Sequence, residues 1–183
     1  MKQNKIKLSE QQFLQVCEDF IDKELLDIEY YMVLEQPFVH KPSNYNDCNT
    51  IYIEQNNILM QELPRQGGTI VGSPGDVECI YFITKQQNTG MPEEIQNLVT
   101  LLLSKGLRPQ IDNNDILINN YKVASWSTKK LKENILIAVV ASVNLDMELI
   151  QNICLKTMDK VPKALSDFGI TSEEVQRVFG LIN

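Results

Sequence analysis

Apolar positions recur along this chain with two alternating periods. In "LSEQQFLQVCEDFIDKELL", Phe13, Val16, Cys17, Phe20, Ile21 and Leu25 return every three or four residues, which predicts an amphipathic helix packed on a core. Ser9 followed by Gln12 has capping-box spacing and marks its start. "IEYYMVLE" (28–35) is rich in β-formers and predicts a strand, after which Pro37, Pro42 and the "SNYNDCN" cluster predict an irregular excursion of functional length. In "LPRQGGTIVGSPGDVECIYFIT", two glycine-bearing turns feed a strand in which Val77, Cys79, Tyr81 and Ile83 alternate with Glu78, Ile80 and Phe82. "MPEEIQNLVTLLLSKG" predicts a second helix, with Pro92 near its first turn, Glu93 and Glu94 where the dipole favours them, and Gly106 at its end. Three short strands follow in "LRPQI", "DILIN" and "YKVASWS", with Asn119 and Asn120 supplying a hairpin turn. "NILIAVVASVNL" predicts a strand apolar on both faces, and the tail predicts short helices, the last capped by Thr171 and Glu174. This order of elements predicts an α+β fold with a mostly antiparallel, mixed sheet packed by helices.

Composition narrows the classes of function. A chain of 183 residues with 43% hydrophobic content is expected to form one domain over residues 1–183. Its 17 basic and 24 acidic residues give a net charge of -7, which argues against non-specific nucleic-acid binding. The longest apolar run, 135–143 interrupted by Ser142, is far shorter than a bilayer span, and the lysines of "MKQNKIKLSE" have no apolar stretch behind them. A cytoplasmic protein with no membrane partner is expected. Cys17, Cys48, Cys79 and Cys154 are scattered without a CxxC pair, and His40 is the one histidine. Neither a zinc site nor a disulfide framework is predicted, and each cysteine is taken singly, with Cys17 and Cys79 as core residues.

Four blocks of sequence carry a resemblance. "MVLEQPFV", "RQGGTIVGSPGD", "NDILINNYKVAS" and "VNLDMELIQNIC" resemble, in order and roughly in spacing, the octanoyltransferases of lipoate synthesis, and more broadly the superfamily they share with lipoate-protein and biotin-protein ligases. The first block matches Glu35 and Pro37 to the family's acidic residue and proline. The second matches Arg65, Gly67, Gly68, Pro74, Gly75 and Asp76 to a turn that would hold an acyl or lipoyl group. Glycines there let backbone approach a ligand closely and leave N–H groups free. The third matches Lys122 and Ala124, with the Lys122 charge partly desolvated among Val123, Ala124 and Trp126 and so suited to proton transfer. The fourth matches Cys154 to a nucleophile that would take an octanoyl group from acyl carrier protein and pass it to a lysine of a lipoyl domain, with Lys122 as base. Such a protein needs neither a metal nor a bound organic cofactor. Octanoyl-acyl carrier protein and lipoyl domains are its implied partners; in the ligase alternative, lipoate and ATP replace the acyl carrier. A scaffold that keeps the fold and only binds is the third reading. The family carries a histidine where this chain has Gly72 and a glycine where it has Leu155; His40, on the excursion, is no obvious substitute.

Overall fold

Two sheets of unequal size organise the chain in the computed structural model, which describes residues 4–43, 46–64, 67–87, 90–156 and 158–183. The large sheet has seven strands in the spatial order β1 (Asn4–Lys7), β2 (Ile28–Val33), β6 (Val77–Ile83), β10 (Ile135–Ala141), β9 (Tyr121–Lys130), β8 (Asp115–Ile118) and β7 (Pro109–Asp112). In the small sheet β3 (Phe38–Pro42) lies between β4 (Leu59–Leu63) and β5 (Ile70–Gly72). β1 with β2 and β3 with β4 run parallel, and the remaining pairs are antiparallel. The expected mixed, mostly antiparallel α+β architecture is observed.

β10 is central. Its seven residues are all buried and are registered against β6 on one side and β9 on the other. On one face of this sheet, Val77, Cys79, Ile137 and Val139 join a core shared with α3 (Glu93–Ser104) and α5 (Ser172–Val178). On the other face, Ile80, Phe82 and Leu136 meet Phe13 and Phe20 of α1 (Glu10–Lys23) and Phe38 of the small sheet. α2 (Thr50–Gln55) and α4 (Met147–Ile153) cover the far side of the small sheet, packing on Val39 and Val71. Among the described residues no helix is long and apolar enough to cross a membrane.

The local signals act where they were read. Ser9 and Gln12 close a capping box on α1, and Thr171 and Glu174 close another on α5. Gly106, with a φ of 77°, follows the last turn of α3, and Asn119 and Asn120 have φ of 52° and 68°, the left-handed pair that a two-residue hairpin demands.

One expectation needs correction. The excursion after β2 is ordered structure: β3, α2 and β4 in succession, with β5 following inside the glycine stretch. The "SNYNDCN" polarity that reads as loop is in part a helix start, because the Asn49 side chain accepts from Tyr52 N and caps α2. His40 accordingly lies on a buried strand, 5% exposed. The edge strand β1 was also unforeseen. Its four residues are exposed, and Lys5 holds it in place by donating to Glu29 at 3.1 Å and to the Phe179 carbonyl at 2.6 Å.

Candidate functional site

The glycine stretch is fastened at both ends of β5. At the far end, Asp76 is fully buried; its Oδ2 accepts from Ser73 N at 2.9 Å and its Oδ1 from Val143 N and Asn144 N at 2.7 and 2.9 Å. Burial pushes the Asp76 pKa up to about 7, working against those three amide donors, and Glu78 adds to the rise. The same turn is tied to residues 142–146 by Asn144 Nδ2, which donates to Pro74 O at 2.7 Å, and by Asp146 N, which donates to Ser73 Oγ at 3.1 Å. Gly75 has a φ of 96°, and a Cβ there would stand 2.3 Å from Asn144 Nδ2. Gly75 and Asp76 therefore set the position of the segment that enters α4.

At the near end the anchor is Asp47. Its carboxylate accepts from Thr69 N at 2.9 Å and from Thr69 Oγ1, just after the exposed Gly67 and Gly68. Its backbone carbonyl accepts from Leu155 N at 2.9 Å. One residue thus links the glycine turn to the chain that follows Cys154. Arg65 lies outside the described residues.

Cys154 is half-buried at the end of α4. Burial raises its pKa, and Asp47 and Cys48 push in the same direction. These surroundings favour the thiol over the thiolate that a nucleophile requires.

Lys122 is partly buried on β9, and its charge is paired. Its side chain is 36% exposed and its Nζ pairs with Asp115 Oδ1 at 2.8 Å; Asp115 also takes Lys160 at 2.7 Å. Burial works to raise the Asp115 pKa, but the hydrogen bonds from the two lysines outweigh it and the net shift is downward. The segment beyond Cys154 returns to this point, where Lys122 N donates to Val161 O at 3.0 Å and Lys163 N to Lys122 O at 2.9 Å. Ala124, 1% exposed, belongs to the core on the α3 side of the large sheet.

On the opposite, α1 side, a cavity of ≈ 20 Å³ lies between the two sheets, walled by Phe13, Met32, His40, Ile70, Glu78 and Val140 among others. That is room for about one water. His40 Nε2 and Glu78 Oε2 are hydrogen-bonded here, with side chains 6% and 4% exposed, and Glu78 Oε1 has no hydrogen-bond partner among the described residues. Gly72 makes space for the pair, since a Cβ on it would come within 2.9 Å of Glu78 Oε1 and 2.3 Å of Leu34 Cδ1. Strand alternation turns His40 and Ile70 toward this cavity and Val39 and Val71 toward α2 and α4. Cys154, which packs with the latter group, is therefore across the small sheet from the cavity.

No family model matches the chain, and no curated protein matches its sequence. Solved structures match it closely in fold. A bi-partite lipoate protein ligase from Thermoplasma acidophilum superposes with a TM-score of 0.74 at 15% identity, over 97% of this chain and 80% of that one. LipL1 of P. falciparum, in complex with lipoate, gives 0.75 at 16% identity over 96% of this chain and 58% of that one. A biotin protein ligase from Aquifex aeolicus, with biotin and ATP, gives 0.58 at 13% identity over 96% and 66%. The chain has the lipoate-protein ligase fold.

Within this lipoate-ligase fold, the structure gathers Gly67, Gly68 and Cys154 around Asp47, and Gly75 and Asp76 around the entry to α4. It leaves Lys122 and Ala124 on β9. Glu35 is exposed, and its backbone N–H donates to Glu10 Oε1 at 2.7 Å. Sequence reasoning missed Asp47, Thr69 and the His40–Glu78 pair. For the pair, the glutamate inside the otherwise apolar "VECIYFI" was the available signal, because a carboxylate buried on a sheet face needs a partner. Among the described residues no group of three or more His, Cys, Asp or Glu side chains is arranged to hold a metal.

Proposed function

We propose that this chain handles a lipoyl or octanoyl group destined for a lysine of a lipoyl domain, and that the acyl chain lies between the two sheets beneath the glycine stretch. The observation that carries this reading is the inter-sheet cavity, with apolar walls from α1 and both sheets and one polar end at His40 and Glu78. The fold is shared with proteins solved with lipoate or biotin. At its present ≈ 20 Å³ the cavity admits an acyl chain only if side chains such as Phe13 and Met32 move aside.

Two routes deliver the group. In the first, the Cys154 thiolate attacks the thioester of octanoyl-acyl carrier protein and the carrier thiol leaves. The lysine of the lipoyl domain then takes the acyl group, with Lys122 as base and Gly67, Gly68, Gly75 and Asp76 as the candidate substrate contacts. In the second, lipoate is activated with ATP and no thiol is needed. The raised Cys154 pKa and its place across the small sheet from the cavity count against that thiol as the nucleophile of the first, and say nothing of ATP in the second.

Intact mass spectrometry separates them. With ATP, lipoate and a lipoyl domain, the expected result is a domain heavier by one lipoyl group, and Lys122→Ala is expected to slow its formation at least tenfold. With octanoyl-acyl carrier protein and no ATP, a hydroxylamine-labile octanoyl adduct absent from Cys154→Ser would establish the thioacyl route in its place. No modification under either condition, with no binding of octanoate or lipoate, rejects the acyl reading.

A further inference from the structure

Cys48 and Cys154 face each other across an antiparallel bridge between the segment that leads into α2 and the end of α4. Asn49 N donates to Ile153 O at 2.7 Å and Leu155 N to Asp47 O at 2.9 Å, so the hydrogen bonds flank the two cysteines on both sides. They are therefore the non-hydrogen-bonded pair of the ladder, a position with Cα atoms about 4.5 Å apart and side chains on one face. A disulfide needs Cα atoms roughly 4.4–6.8 Å apart. The two residues share one apolar cluster with Ile53 and Ile153, whereas Cys79 and Cys17 sit in the two other cores. Cys48 is 2% exposed and Cys154 half-buried, which gives one sulfur that solutes reach and one shielded sulfur behind it. This is the arrangement of an attacking thiol with a resolving partner.

We propose that Cys48 and Cys154 form a reversible intramolecular disulfide by exchange with a small-molecule disulfide such as oxidised glutathione. The Cys154 thiolate, its proton lost to solvent, attacks one glutathione sulfur and expels the other as a thiolate, leaving a mixed disulfide. Cys48, deprotonated in turn, attacks the Cys154 sulfur and expels the second glutathione thiolate. Two protein thiols are oxidised, one glutathione disulfide is reduced to two thiols, and the protons balance. Because burial and Asp47 favour the Cys154 thiol, the exchange is slow near neutrality and accelerates as the pH rises. The bond ties α4 to the residue next to Asp47, and so to the glycine turn. That it also removes the nucleophile rests on the thioacyl route above; the disulfide itself does not.

The test uses the full chain. Protein incubated with oxidised glutathione is quenched with an alkylating agent and digested without reduction for mass spectrometry. The expected product is a Cys48–Cys154 cross-linked peptide, with two of the four thiols protected from alkylation and recovered after reduction. Cys48→Ser, with Cys48→Ala alongside, is expected to stop at a glutathione adduct on Cys154. Wild-type protein that stops at that same adduct, links Cys154 to Cys17 or Cys79, or keeps all its thiols overturns the proposal. Octanoyl transfer by the reduced protein is measured in parallel: its absence rejects the thioacyl route and leaves the disulfide standing.

Discussion

The two ends of β5 are held by the same kind of side chain in different ways. Asp76 has no exposed surface and gathers three backbone N–H groups from two segments, so it acts as an internal cross-brace. Asp47 takes both of its carboxylate bonds from one residue, Thr69, beside two exposed glycines, and reaches Leu155 through its backbone. The first arrangement fixes where α4 begins. The second couples the glycine turn to Cys154, so a change at either is felt by the other. A carboxylate can thus cement a turn or relay through it, and what decides is how many separate segments its oxygens bond, since both residues are buried.

The sharpest way to break the comparison is Asp76→Ala, expected to cost about 3 kcal/mol because three backbone amides, two of them buried, lose their acceptor; urea denaturation measures it. A pH series sharpens it. The folded pKa of about 7 stands above the ordinary 3.8, so the protonated form is the one the fold favours. Its stabilisation is complete below about pH 4 and is lost as the pH rises through about 7, by a few kcal/mol at most. Asp76→Asn is expected to flatten that slope, and a wild-type slope that persists unchanged in the variant would assign it elsewhere.

Gly72→Ala comes next, at about 2 kcal/mol, since its methyl group meets Leu34 and Glu78. Thermal melts with and without octanoate would also show whether the cavity is affected. Asp47→Ala is expected to cost about 1–2 kcal/mol. Its distinguishing effect is on reactivity: removal of the nearby charge lowers the Cys154 pKa and speeds alkylation of that thiol by iodoacetamide, whereas Asp76→Ala, in which the Asp47 charge remains, does not. The smallest effect is expected for Thr69→Val, about 1 kcal/mol, because the backbone bond to Asp47 survives the loss of the hydroxyl. Equal alkylation rates in the Asp47 and Asp76 variants would erase the distinction between the two ends.

What the sequence made legible were the elements long enough to express a period. α1, β6, α3, the β8–β9 hairpin and β10 declared themselves through spacing, caps and turn residues. β3, α2, β4 and β5 are three to six residues each, too short for a period to show among prolines and asparagines, and with them the second sheet went unseen. The site was legible in pieces only. Glycines and Cys154 could be matched in order, but Asp47 matters because folding brings it to Thr69 and Leu155, residues distant in sequence. The pairing of Cys48 with Cys154 was hidden for the same reason.

β10 is the last strand of the chain, yet it belongs between two strands that precede it. Until residues 135–141 leave the ribosome, β6 and β9 each present an open edge where β10 will pair. The arriving segment, ILIAVVA, has no charge, no proline and no glycine, the composition that seeds pairing between different chains. Lys129, Lys130, Lys132 and Glu133 stand just ahead of it, as charged gatekeepers do beside unavoidable apolar strands. The strand that completes the sheet is thus also the one whose composition makes it most hazardous to leave unpaired.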